Sequence, residues 1–115
     1  MVLLEKKKQV QKNRALSGGV LETVFPGSKS KILDFLITFQ DYDYSISDIA
    51  THSGVGFKTT LEILKTLEKQ GVVNQERNVG RALMYKLNMN NLQAQSISKM
   101  VMSMAIEKIK EKNKK

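Results

Sequence analysis

The stretch FKTTLEILK, Phe57 to Lys65, gathers side chains able to recognise a polyanion or a base edge. Lys58 and Lys65 carry ammonium donors for phosphate oxygens or guanine. Thr59 is a small hydroxyl that donates and accepts. Glu62 is an acceptor, with two open readings: contact with a cytosine amino group, or a local ion pair with Lys58 or Lys65. Phe57 and Leu61 are apolar, and fit either thymine methyl groups or a partner protein. Further along, Arg77, Asn78 and Arg81 suit phosphates or a narrow minor groove. The plainer alternatives are a solvated helix face for the first group and a soluble hairpin tip for the second.

Other chemistry finds little support. The chain of 115 residues has no cysteine and one histidine, His52, so disulfides, thiolate nucleophiles and Cys-based zinc sites are absent. His52 reads as a helix-end residue, favourable there when protonated. Asp41, Asp43 and Asp48 do not form a catalytic pair, and Asp48 is explained as part of a helix cap. With no nucleophile–base pair and no phosphate loop, the expectation is a non-enzyme without cofactor or metal.

These residues need elements to hold them. Ser28 reads as the N-cap of a helix over about 29–40, in which Ile32, Phe35, Leu36 and Phe39 repeat at helical spacing; Leu33 and Ile37 widen the stripe, as in a central, mostly buried helix. DYDY, Asp41 to Tyr44, reads as a connection with its tyrosines packed. SISD at 45–48 resembles a capping box opening a short helix over 46–52, closed by Ser53-Gly54. Val55 plugs the core, and a further helix over 57–70 buries Thr60, Ile63, Leu64 and Leu67 before stopping at Gly71. Val72 to Gln75 and Arg81 to Asn88 read as two strands of a hairpin, with ERNVG as its turn. A long helix over 91–113 follows, capped by Asn90 with Gln93. Its broad apolar face includes Leu92, Ile97, Met100, Val101, Met104, Ala105 and Ile109. Leu92 and Ile97 are expected against the chain's own domain, and Ile97, Met100, Val101, Met104 and Ile109 across a two-fold against a second copy.

Short helix, glycine turn, helix and basic hairpin together make a helix-turn-helix followed by a wing. SISDIATHSGVGFKTTLEILKTLEKQGVV and GRALMYKLN resemble the winged helix-turn-helix transcription regulators of the multiple-antibiotic-resistance and arsenic-repressor types. The resemblance spans about 31–88. It implies that Phe57, Lys58, Thr59, Leu61, Glu62 and Lys65 lie where the family's recognition helix faces DNA, with 77–81 as the wing tip. Departures are an acid, Glu62, where Arg or another base reader is common, apolar Phe57 and Leu61 at commonly polar positions, and no metal-sensing cysteines.

Charge agrees with a polyanionic partner. The net charge is +8, concentrated at the two ends of the chain, while residues 58–86 hold six basic against three acidic side chains. No apolar run approaches the roughly 18–20 residues of a membrane span. In MVLLEKKKQVQKNR the charges follow the apolar residues, the reverse of a secretory signal, so a cytoplasmic protein is expected. The expected fold is α+β, mainly α: a basic, flexible arm over 1–24, a winged helix-turn-helix with a two-stranded wing over 25–88, and a dimerisation helix with a basic tail over 89–115. The expected partners are double-stranded DNA and a second copy of the chain, with repression as the simplest role. A winged helix serving as a protein-interaction module and a non-specific architectural DNA binder are the alternatives.

Overall fold

The computed structural model describes residues 19–113, so most of the expected arm lies outside the described residues. The first described element is α1 (Val20–Val24). Val20 and Leu21 are buried in the common core. Gly19, in the left-handed region at φ 70°, offers no side-chain cap. The cap comes instead from Asp34 in the next helix, whose carboxylate accepts from the Leu21 and Glu22 N–H groups, each at 3.1 Å. A buried carboxylate thereby meets donors that α1 would leave unpaired.

Helix α2 (Ser28–Thr38) is the hub, with Ile32, Leu33, Phe35, Leu36 and Ile37 all buried. It starts one residue earlier than expected. Gly27 occupies the cap position, where no side chain is available to cap, and Ser28 is the first helical residue. Phe35 stacks on His52 and meets Tyr44 edge-on. Tyr42, expected to pack, is largely exposed.

The sheet has three antiparallel strands in the order β1-β3-β2, with β1 Tyr44–Ser45, β2 Val73–Val79 and β3 Ala82–Leu87. β1 spans the end of the expected connection and the capping serine, pairing Tyr44 with Tyr85 and Ser45 with Met84. β2 and β3 form the hairpin, longer than expected. Pairing runs from Val73↔Leu87 to Val79↔Ala82 across an irregularity between Gln75 and Arg77. Arg77 and Asn78 therefore lie within a strand, and the turn is Gly80-Arg81. Gly80 supplies the positive φ, 61°, that a two-residue hairpin turn demands.

Helices α3 (Ile46–Ser53) and α4 (Phe57–Lys69) lie between β1 and β2, and α5 (Leu92–Asn113) closes the chain. The α5 cap is Asn91 rather than Asn90, since Asn91 Oδ1 accepts from the Ala94 N–H at 2.9 Å. Its 22 residues extend about 33 Å. Ala94, Ser98 and Val101 are buried, with Ile97 and Met104 packed beside them; the helix touches α1 and α2. Leu92, expected to pack inward, is 75% exposed. Among the described residues no helix is long and apolar enough to cross a membrane.

Candidate nucleic-acid interface

The helix-turn-helix forms from strictly local signals. Ser45 Oγ accepts from the Asp48 N–H at 3.1 Å, opening α3 as the SISD pattern predicts. Gly54 ends it in the left-handed conformation, φ 69°, and the Val55 N–H reaches back to the Ala50 carbonyl at 3.0 Å. That six-to-one closure turns the chain within three residues and sends it into α4.

The roll of α4 about its axis is fixed from the inside. Thr60, Leu64 and Leu67 are buried, with Ile63 half-buried beside them. At about 100° per residue, the face opposite that stripe carries Lys58, Glu62, Lys65 and Lys69, all four exposed. Thr59, also exposed, flanks this face on one side. Phe57 lies on the other flank, 53% exposed, beside a shallow depression lined by Ala50, Thr51 and Val55. Leu61 departs from expectation: it is half-buried and packed against the core, one turn from Phe57 on the same flank. Five of the six expected recognition residues thus face solvent, and the sixth helps to hold the helix. Gly71, at φ 79°, ends the helix region, and its carbonyl accepts from Asn88 Nδ2 at 2.9 Å.

The hairpin treats its cations unequally. Arg77 donates twice to Asp43, from Nε at 2.8 Å and from an Nη at 3.2 Å. This fork ties the outer half of β2 to the segment leading into β1. The Arg77 hydrogen bond, assisted by its charge, holds the Asp43 carboxyl below its ordinary value of 3.8 and raises the guanidinium in return. Asn78 Oδ1 accepts from Gln75 Nε2 at 2.9 Å. Arg81, in the turn, is exposed and makes no ion pair among the described residues. Asp43 was not legible as a site residue, because its partner lies 34 positions away. At the hairpin base, burial pushes the Tyr85 hydroxyl up, aided by Glu68 at 3.5 Å.

No family model matches the sequence, and neither does any curated protein. Solved structures do match its shape. NadR, determined in complex with 4-hydroxyphenylacetate, superposes with a TM-score of 0.63 over 97% of this chain and 76% of that one, at 16% identity. MepR, a transcription regulator of the Staphylococcus aureus multidrug efflux pump MepA, gives 0.58 over 96% of this chain and 75% of its own, at 18% identity. The fold is a winged helix-turn-helix similar to that of these two structures. Within this winged helix, α4 is the second helix of the helix-turn-helix and β2–β3 is the wing.

The face of α5 expected to meet a second copy divides. Val101 is 4% exposed, and Ile97 and Met104 pack against the same core, so these three are committed within the chain. Met100 and Ile109 remain exposed, joined by Met102 and Ile106. Met102, Ile106 and Ile109 fall at i, i+4 and i+7 on one stripe. The sequence concealed this because both stripes are apolar, and only packing against α1 and α2 selects the inner one.

Proposed function

We propose that the chain binds double-stranded DNA as a homodimer and regulates transcription, most simply as a cytoplasmic repressor that occludes a promoter. The observation carrying this reading is the solvent face of α4. A helix held by three buried side chains and led by a tight glycine turn presents Lys58, Lys65 and Lys69 opposite the core. Three cations on one helix face have no use in packing, whereas a major groove admits one helix lined by phosphates. Arg81 at the wing tip adds a cation suited to a neighbouring phosphate or minor groove. The apolar stripe Met102, Ile106 and Ile109 supports burial against a second copy.

The test is a salt titration of duplex binding by the full chain. The double variant Lys58→Ala with Lys65→Ala is expected to lose tenfold or more in affinity at low salt. Its slope of log affinity against log salt should fall by about two phosphate contacts. Absence of binding at low salt, or an unchanged slope, defeats the reading; a two-fold symmetric footprint would report the dimer. Exposed Phe57 favours a second reading, a winged helix that docks on a protein. That reading gains ground if Phe57→Ala abolishes partner binding while duplex affinity is nil.

A further inference from the structure

Glu62 sits where a carboxylate is hardest to explain. It is at the centre of the solvent face of α4, between Lys58 one turn before and Lys65 and Lys69 after it. An acid placed there faces the phosphates of any bound duplex and is repelled by them. Local neutralisation would remove the difficulty, but among the described residues neither Lys58 nor Lys65 forms an ion pair with Glu62. The order Lys58–Glu62 at i, i+4 is also the weaker orientation for such a pair on a helix. Among the described residues the carboxylate makes no hydrogen bond either; the side-chain contact at this position goes to the Glu62 main-chain carbonyl, which accepts from Thr66 Oγ1 at 3.1 Å. Its acceptor lone pairs are therefore free, and the buried Thr60, Leu64 and Leu67 prevent the helix from rolling to hide them.

We infer that Glu62 is a specificity-determining residue that reads cytosine in the major groove, an assignment that rests on the DNA-binding reading above. An ionised carboxylate only accepts, so it needs an exposed donor on the base edge. The major groove offers two, the amino groups of cytosine and adenine. Adenine presents its N7 acceptor beside its amino group, which opposes a carboxylate. Cytosine presents its amino group without a neighbouring acceptor on the same base. Lys58 and Lys65 on either side are placed to take phosphates or the guanine of an adjacent pair, which offsets the repulsion the acid suffers.

The experiment is selection of bound sites from random duplexes at low salt, using the wild-type chain, Glu62→Gln and Glu62→Ala. The wild type is expected to retain sites with cytosine fixed at one position per half-site. Glu62→Gln, whose amide both donates and accepts, should move that position towards adenine. Glu62→Ala should lose the preference there, cutting discrimination by about five- to hundredfold, while binding of unrelated duplexes rises. Sites whose base preferences are the same in all three proteins overturn the assignment and leave DNA binding intact. So does a Glu62→Ala variant that binds every duplex more tightly without changing its preferences, since the acid is then only a repulsive charge. If the wild type retains no duplex at all, the DNA-binding reading falls and this assignment with it.

Discussion

Helix α4 and the β2–β3 hairpin both present cations to solvent, yet they are held in opposite ways. The α4 lysines are free because the helix is fixed from behind, by Thr60, Leu64 and Leu67 in the core. The hairpin is buried only at its base, through Val73, Tyr85 and Leu87, and residues 75–81 are exposed. Its outer part is anchored by Arg77 to Asp43, so a cation chemically suited to a phosphate serves as a tether. Where packing supplies rigidity, charge remains available for a ligand; where packing runs out, charge is used to supply it.

The largest effect should come from removing the rigid side of this contrast. Leu64 is fully buried, and Leu64→Ala is expected to cost about 2–5 kcal/mol of stability, read by denaturant unfolding. A loss below about 1 kcal/mol would mean that the core does not fix α4. The wing should respond more gently and in both directions. Arg81→Ala is expected to weaken duplex binding several-fold and to lower the salt slope by about one contact. Arg77→Ala should change that slope little, and Asp43→Asn should raise it, because it releases the Arg77 guanidinium. Equal slopes for Arg81→Ala and Arg77→Ala would erase the distinction between free and tethered cations.

The smallest effect is in pH. The Arg77 contact lowers the Asp43 pKa on folding, so its stabilising contribution is complete above the ordinary value of 3.8. It is lost as pH falls through the lower folded value. Arg77 is largely exposed while Asp43 is half-buried, so solvent screens the pair from the arginine side. Hydrogen exchange of the β2 amides should therefore quicken only in that acid range, and Asp43→Asn should abolish the acid-dependent part. An Asn variant that retains the wild-type acid response would show that Asp43 is not the titrating group.

What could be read from the sequence was whatever depends on neighbours along the chain. Ser45 with Asp48, Gly54, Gly71 and the apolar spacing of Thr60, Leu64 and Leu67 are set within one or two turns of helix, and each appears where expected. What was hidden depends on partners far away. Asp34 looks like an ordinary surface acid until α1 is seen against it, 12 and 13 positions earlier. Tyr44 becomes a strand only because β3 passes beside it, and Arg77 becomes a tether only through Asp43. Likewise the family resemblance puts Leu61 on the DNA-facing side, but its flank of α4 is closed by neighbours that no local pattern reveals. The candidate site was thus legible as a helix face, whereas the allocation of its individual side chains required the tertiary structure.

The Asp34 contact has a practical consequence for shortening the chain. Composition invites a cut near residue 24, where the basic arm gives way to the apolar domain. Such a cut would remove both amide donors that the Asp34 carboxylate uses on α1, along with the Val20 and Leu21 side chains that cover this part of the core. The smallest unit that keeps α2 and α5 sealed therefore begins ahead of Gly19, and comparisons of binding with and without the basic arm are sound only when the deletion stops there.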